Sequence, residues 1–219
     1  MKISVVVCTY NRSALLRDSI TDLQAQEFPS SDFEILVVDN NSSDDTRLVV
    51  ESLAASSEVA VRYLFEGNQG LSFARNTSIV NARGDIVVFT DDDIAAPPGY
   101  LRELARVFAD PAVAAAGGPI RPIWPGPVPE WLTSDWHGFL TINEFPAAAK
   151  TGFFKGPHEY PWGANIAFRR EIFERVGTFP TDLGRVGNCL LSNEEVGLCR
   201  KIEAAGFSIA FAADAVIFH

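Results

Sequence analysis

The chain has 219 residues, of which 47% are hydrophobic and 21% are charged, and this balance is typical of a globular protein with a sizeable core. Its formal net charge is −10. This charge argues against sequence-independent binding to nucleic acid or anionic lipid, because both present negative surfaces. An anionic substrate would need local arginine or lysine side chains, or a cation, to meet it.

The cysteines and the N-terminus indicate the compartment. Cys8, Cys189 and Cys199 have no spacing typical of a metal site, and their odd number argues against a disulfide framework. The opening MKISVVVCTYNR has a short apolar run and no small-residue cleavage site, so it predicts a first strand and not a signal peptide. No run approaches the ~20 apolar residues of a membrane span. We therefore expect a cytoplasmic protein.

The first 118 residues alternate between apolar strands and amphipathic helices. Strands are predicted at 3–8, 33–39, 59–66, 85–90 and 112–118. Helices are predicted at about 12–26, up to about 54, at 71–82 and from Pro98 onward. Continuous apolar strands between amphipathic helices indicate an α/β fold, with a mostly parallel sheet that helices cover on both faces.

Several helix ends carry residues that favour capping. Asn11 or Ser13 is predicted to cap the first helix, and Ser42 with Asp45 is predicted to form a capping box for the second. Gly84 is predicted to close the third helix.

The composition changes at residue 119. Five prolines fall within residues 119–129, which excludes a regular helix or a central strand there. We expect residues 119–162 to form an irregular region over the ligand-binding edge of the sheet. Regular structure is predicted to resume at 163–173, with a helix at about 193–205 and a strand at 207–212. The irregular region is rich in aromatic residues: Trp124, Trp131, Trp136, Phe139, Phe145, Phe153, Phe154, Tyr160 and Trp162.

Three predicted strands end in polar residues, at 9–11, 39–41 and 91–93. Ligands of parallel α/β sheets bind outside the carboxyl ends of the strands. These three strand ends therefore predict the position of a binding site.

The third strand end holds three consecutive carboxylates. Two such charges ~6 Å apart repel by roughly 3 kcal/mol at an effective dielectric near 20. Asp91 and Asp93 stand two residues apart and point the same way, while Asp92 points elsewhere. Two converging carboxylates suit Mg²⁺ or Mn²⁺. The alternative is an acidic cap for the following helix, although a cap needs only one acid.

Other polar residues have two interpretations each. Asp39 fits a turn as well as a binding site, and Arg75 fits a helix surface as well as a phosphate contact. Glu194 and Glu195 open a helix, where the macrodipole favours acids and keeps a carboxylate ionised, as a general base requires. His219 follows apolar residues that indicate a strand.

The motifs together resemble the family 2 nucleotide-sugar glycosyltransferases of the GT-A fold, and the resemblance covers essentially the whole chain. SVVVCTYNR resembles the opening strand of that family, which implies that Thr9 and Asn11 lie near the nucleotide. LVVDNNSSDDT is similar to the second strand, whose aspartate, here Asp39, contacts the base. GNQGLSFARN resembles the segment that carries an arginine, here Arg75, near the donor.

The remaining motifs supply the metal site and the base. FTDDD resembles the D-x-D motif, which implies Asp91 near the ribose, Asp93 on the metal and a supporting role for Asp92. WGANIAFRRE is similar to a stretch on the acceptor side, and ADAVIFH resembles the segment with a metal-proximal histidine, His219.

The base assignment follows from NEEVGLCRKI, which resembles the helix whose second acid is the catalytic base. That acid is Glu195, where the family more often has aspartate, and Asn193 replaces the usual glycine. Glu194 therefore remains a second candidate.

The resemblance implies a metal-dependent, inverting transfer from a nucleotide-diphosphate sugar, with a UDP-sugar as the expected donor and Mn²⁺ or Mg²⁺ as cofactor. The sugar would be transferred to a hydroxyl of a glycan or of a lipid-linked acceptor, as in polysaccharide biosynthesis. A lipid-linked acceptor would bring the protein to the inner face of the membrane by peripheral association. We expect one domain over 1–219, with a nucleotide-binding half at 1–118 and an acceptor-binding half at 119–219.

Three other function classes compete with this interpretation. A catalytically inactive sugar-nucleotide-binding protein is compatible with the glutamate at the base position. A haloacid-dehalogenase-like phosphatase would phosphorylate Asp91, but Ala95 stands where such enzymes have threonine or valine. A NAD-binding protein would need a G-x-G-x-x-G motif after the first strand, and VVVCTYNRS contains no glycine.

Overall fold

The structure is a computed structural model that describes residues 1–144, 151–154, 160–184 and 192–219. Phe145 and Cys189, both singled out from the sequence, lie outside the described residues. The described strands form an eight-stranded sheet and a two-stranded sheet.

The first half of the chain follows the predicted alternation closely. Its strands are β1 (Ile3–Thr9), β2 (Phe33–Asp39), β3 (Ala60–Phe65), β4 (Ile86–Thr90) and β5 (Val113–Gly117). Its helices are α1 (Ser13–Gln24), α2 (Thr46–Ala55), α3 (Leu71–Asn81) and α4 (Tyr100–Val107). The first four strands are parallel, and Thr9 pairs with Asp39 while Val7 pairs with Thr90. The carboxyl ends of β1, β2 and β4 therefore lie side by side.

The second half adds shorter elements. They are β6 (Ile120–Arg121), a 3₁₀ helix (Ser134–Leu140), β7 (Gly152–Phe153), β8 (Ile166–Arg169), α5 (Ile172–Val176), α6 (Glu194–Ala204), β9 (Ser208–Phe211) and β10 (Ile217–Phe218). The eight-stranded sheet has the order β3-β2-β1-β4-β8-β5-β9-β7, and β6 pairs with β10 in the two-stranded sheet. Strand β8 runs antiparallel between β4 and β5. Within the described ranges, no helix combines the length and apolar character needed to cross a membrane.

Both faces of the sheet are buried at β1, β2, β4 and β5, which explains their continuous apolar sequences, whereas β3 is only partly buried. Val5 and Val7 of β1 belong to the core on one face, together with residues of α1 and α4. Val6 belongs to the core on the opposite face, together with residues of α3 and α6. Successive side chains of a strand point to opposite faces, so a strand covered on both sides has no polar alternation. This arrangement confirms the predicted α/β fold.

The starts of α1 and α2 share one acceptor, Asp44. Its Oδ2 accepts a hydrogen bond from the backbone N–H of Ser13 at 3.0 Å. Its Oδ1 accepts hydrogen bonds from the backbone N–H of Thr46 at 3.1 Å and from the Thr46 hydroxyl at 2.5 Å. The sequence predicted caps at Asn11 or Ser13 for α1 and at Ser42 with Asp45 for α2. Among the described residues, none of these side chains makes a capping hydrogen bond. Those predictions are wrong because Asp44, which lies in the loop before α2 and directly precedes Asp45, is the acceptor for both helices.

Two further helix-end predictions are wrong. Helix α3 ends at Asn81, so Gly84 does not close it. A Cβ on Gly84 would lie 2.5 Å from the backbone nitrogen of Ser4, so glycine is required by the close approach of the chain to β1. Helix α4 begins at Tyr100, so Pro98 precedes the helix instead of opening it.

Candidate active site

A cavity of about 540 Å³ opens at the sheet edge where β1, β2 and β4 end. Residues from both halves of the chain line it, and those used below are Thr9, Arg12, Asn40, Arg75, Asp91, Asp92, Gly138, Thr141, Trp162, Glu194 and Glu195. The cavity therefore lies at the position that the polar strand ends predict.

Three side chains at the edge of this cavity could hold a metal ion. Ligand atoms of Asp91, Asp93 and His219 all lie within 4.8 Å of one another. Asp92 turns away from this group: its Oδ2 accepts a hydrogen bond from Thr9 Oγ1 at 2.6 Å. The alternation of side chains after β4 thus brings Asp91 and Asp93 together, as the sequence predicts.

Backbone pairing brings His219 to the aspartates. Ala95 and Phe218 exchange two hydrogen bonds, of 2.8 Å from the Ala95 nitrogen and 2.9 Å from the Phe218 nitrogen. This bridge joins the chain after Asp93 to the strand that precedes His219. The imidazole Nε2 of His219 consequently lies 3.2 Å from Asp93 Oδ1.

The chemistry of these groups fits a hard divalent cation. Asp93 Oδ1 is buried and, among the described residues, lacks a hydrogen bond of good geometry, although His219 is close. Burial acts to raise the pKa of Asp93, but the proximity of His219 and of the Arg12 guanidinium outweighs burial and lowers that pKa to about 2. Asp93 is therefore ionised at neutral pH, and two carboxylates with one imidazole are ligands that Mn²⁺ accepts.

Asp92 differs from Asp93 in the direction of its pKa shift as well as in the direction of its side chain. Burial raises the pKa of Asp92 to about 6, although the hydrogen bond from Thr9 and the charge of Arg12 act in the opposite direction. Both of its carboxylate oxygens have protein partners, Thr9 on one and Arg12 on the other. This arrangement suits a supporting role and not a ligand.

Arg75 lines the cavity but is already paired. Its Nη1 donates to Glu194 Oε1 at 2.5 Å, and each side chain is only 4% exposed. The guanidinium lies 5.7 Å from the ring centre of Phe89 and 5.2 Å from that of Phe179. A Cβ on Gly163 would overlap Nη2 of this guanidinium, so the arginine would have to shift to admit a larger residue there. The resemblance implied a contact between Arg75 and the donor, whereas its charge in the structure is matched by a buried glutamate.

The two candidate bases open α6 and differ in their surroundings. Glu194 is the ion-pair partner of Arg75, and Glu195 is its neighbour on the cavity wall. In the described part of the chain, Oε2 of each is buried without a hydrogen-bond partner. Burial raises the pKa of Glu195. The charge of Arg75 partly opposes this rise, and the charge of Glu194 reinforces it. Asn193, which directly precedes α6, has a left-handed backbone, φ 75°, and stands where the resemblance implied a glycine.

The end of β2 presents Asn40 to the cavity. Asp39 is buried beside it: Oδ1 accepts the Ser42 N–H at 2.8 Å and Oδ2 accepts the Tyr63 hydroxyl at 2.7 Å. Asn11 lies in the adjoining loop, where its Oδ1 accepts the Ser43 N–H at 2.7 Å. Asp39 and Asn11 thus organise the loops at this edge, and Thr9 reaches the cavity itself.

The region 119–162 contains more regular structure than predicted, namely β6, β7 and the 3₁₀ helix. Gly138 of that helix and Thr141 just after it line the cavity, as does Trp162. Five other aromatic residues in the described part of the region are exposed, namely Trp124, Trp131, Trp136, Phe139 and Phe153. The prediction that this region adjoins the ligand edge is confirmed for Gly138, Thr141 and Trp162.

Arg12 is the site residue that sequence reasoning missed. Its guanidinium contacts Asp92 and Asp93 and lines the cavity. The available signal was its position, since it follows Thr9 by three residues at a strand end predicted to adjoin the acidic cluster.

Comparison with known proteins agrees with this geometry. Residues 4–177 match the profile of Glycosyl transferase family 2. The chain is 28% identical over 225 residues to glucosyl-dolichyl phosphate glucuronosyltransferase of Haloferax volcanii, covering 100% of this chain and 69% of that protein. It is 27% identical over 218 residues to succinoglycan biosynthesis protein ExoM of Rhizobium meliloti, covering 98% of this chain and 65% of that protein.

Solved structures give the same answer. The mannosyltransferase PcManGT of Pyrobaculum calidifontis, in complex with GDP-Man and Mn²⁺, superposes with a TM-score of 0.77 at 28% identity and covers 100% of this chain. This chain spans 56% of the length of that structure and about two thirds of the length of the curated relatives. Because the family profile covers most of the chain, the phosphatase alternative is excluded. The chain belongs to glycosyl transferase family 2 and has the GT-A fold of these glycosyltransferase enzymes.

Proposed function

We propose that the chain transfers a sugar from a nucleotide-diphosphate sugar to an acceptor hydroxyl, with a divalent cation and with inversion at the anomeric carbon. The observation that carries the proposal is that Asp91 and Glu195 line one cavity, and that Asp91 also belongs to the group with Asp93 and His219. The volume of about 540 Å³ lies within the range of small-molecule sites.

The metal side of the reaction is assigned to Asp91, Asp93 and His219, which would hold Mn²⁺ or Mg²⁺. When bound, such a cation neutralises charge on the leaving nucleoside diphosphate as a Lewis acid. The complex of PcManGT with GDP-Man and Mn²⁺ supports this assignment. The low pKa of Asp93 supports it too, because an ionised carboxylate is the form that binds a cation.

The base is assigned to Glu195. Its carboxylate takes the proton of the acceptor hydroxyl while that oxygen attacks the anomeric carbon and the bond to the diphosphate oxygen breaks. A single displacement of this kind inverts the configuration. Glu195 suits the role better than Glu194, because Arg75 pairs with Glu194 and burial raises the pKa of Glu195.

The two halves of the chain are assigned to the two substrates. Residues 1–118 would bind the donor, with Thr9 and Asn40 on the cavity wall and Asp39 and Asn11 ordering the loops. Residues 119–219 would bind the acceptor, with Trp162 offering an aromatic face to a sugar.

The substrates are proposed at the level of class. The names of the two curated relatives, one acting on a dolichyl phosphate glycan and one in succinoglycan biosynthesis, support a lipid-linked or glycan acceptor. A lipid-linked acceptor would involve peripheral contact with the membrane. We retain a UDP-sugar as the expected donor, and a GDP-sugar is the alternative that PcManGT favours.

The test is nucleotide release from UDP- and GDP-sugars with Mn²⁺, with and without acceptor saccharides. Glu195→Gln should lower turnover by ~10²–10⁴-fold and leave calorimetric binding of donor near wild type, because the amide cannot accept the proton. Glu194→Gln tests the second candidate base one residue away, and thermal unfolding must show that it is folded, because it also breaks the buried ion pair with Arg75. A fully active Glu195→Gln would move the base to Glu194. Metal-dependent donor binding without turnover in the wild type would support the inactive sugar-nucleotide binder.

A further inference from the structure

Arg12 joins two adjacent carboxylates of the acidic cluster. Its Nη1 lies 2.9 Å from Asp92 Oδ1, and its Nη2 lies 2.5 Å from Asp93 Oδ2. The side chains of consecutive residues point in different directions. One planar guanidinium that contacts both Asp92 and Asp93 therefore fixes the orientation of one carboxylate relative to the other.

The position of Arg12 in the chain does not favour a cation. Arg12 is the N-cap residue of α1, and its carbonyl accepts hydrogen bonds from the N–H groups of Leu15 and Leu16. The positive end of the helix dipole disfavours a positive side chain there. The carboxylates of Asp92 and Asp93 are therefore the reason for its orientation.

The contact with Asp93 uses an oxygen of a candidate metal ligand. Arg12 occupies Oδ2, while Oδ1 faces His219. The Arg12 side chain is 42% exposed, so it can leave Asp93 without opening the core. Asp92, by contrast, is nearly buried and keeps a second partner in Thr9.

We propose that Arg12 is a tethered counter-ion of the acidic cluster, which competes with the divalent cation for Asp93. The inference rests on the metal site of the proposed function. Without a cation, the guanidinium offsets the repulsion among the aspartates. With a cation, it is released toward the cavity that it lines, where the diphosphate of the donor would lie.

This role predicts two effects of opposite sign. Removing a unit positive charge ~6 Å from a divalent ion, at a dielectric close to that of water, tightens cation binding by about tenfold. The same change removes a cation from the cavity wall, so it weakens binding of UDP in the presence of saturating Mn²⁺. A residue that only orients Asp93 would produce weaker cation binding.

The experiment is calorimetric titration of Mn²⁺, without nucleotide, into the wild type, Arg12→Met, Arg12→Gln and Arg12→Lys. The Met and Gln variants should bind Mn²⁺ about tenfold more tightly, and the Lys variant should stay close to the wild type because it keeps the charge. Arg17→Met changes an exposed arginine of the same helix and should leave the affinity unchanged. Thermal unfolding of each variant checks that it is folded.

Two results would overturn the inference, and they are distinguishable. If the wild type binds Mn²⁺ and the folded Met and Gln variants bind it equally or more weakly, Arg12 is not a competitor, and the metal site stands. If neither the wild type nor these variants bind Mn²⁺, the metal assignment of the proposed function fails together with this inference.

Discussion

The ion pair between Arg75 and Glu194 should dominate the stability of the α3–α6 contact. The perturbation is Arg75→Met, which keeps most of the side-chain volume between Phe89 and Phe179 but removes the charge. Both partners are 4% exposed and 2.5 Å apart. Removing one partner of such a buried pair leaves a charge without compensation and costs ~3–5 kcal/mol. Each kcal/mol lowers the Tm of a domain of this size by ~2–4 °C, so we expect a fall of roughly 6–20 °C.

The assay is urea and thermal unfolding of three variants. Arg75→Met should show the full loss, and Arg75→Met with Glu194→Gln should recover much of it, because the uncompensated charge is gone. Arg47→Met removes an exposed ion pair with Glu51, and its Tm should remain nearly unchanged. A free energy of unfolding for Arg75→Met within ~1 kcal/mol of the wild type would refute the reasoning, since it would mean that Glu194 is solvated or otherwise compensated.

Two other predictions concern the metal site and a helix cap. Asp93→Asn should abolish the Mn²⁺ dependence of nucleotide binding measured by calorimetry, because it removes the ionised ligand next to His219; unchanged dependence would place the ion elsewhere. Asp44→Ala should lower the free energy of unfolding by ~1 kcal/mol, because Asp44 bonds to the first residues of α1 and α2. Burial acts to raise the pKa of Asp44, but hydrogen bonds led by that of Thr46 lower it from 3.8 to about 2. Its stabilisation is therefore present above pH ~4 and is lost as the pH falls toward 2. If Asp44→Ala left the pH dependence of the free energy of unfolding unchanged over this acid range, the prediction would be contradicted.

The first half of the fold could be predicted from the sequence because its signals are local. Five apolar strands and the helices between them follow from periodicity and from burial on both faces. The convergence of Asp91 and Asp93 follows from the alternation of side chains two residues apart. The order of the motifs along the chain likewise indicated the family that the profile match establishes.

The tertiary structure decided which groups meet. The antiparallel insertion of β8, the capping of α1 by Asp44 and the bridge that brings His219 to Asp93 all join segments distant in the sequence. The clearest case is Arg75, whose local pattern suits a surface helix or a phosphate contact equally well. Its partner Glu194 lies 119 residues away in sequence. Because a charge can be buried only where an opposite charge is brought to it, its burial depends on the packing of the whole sheet and not on its neighbours in the chain.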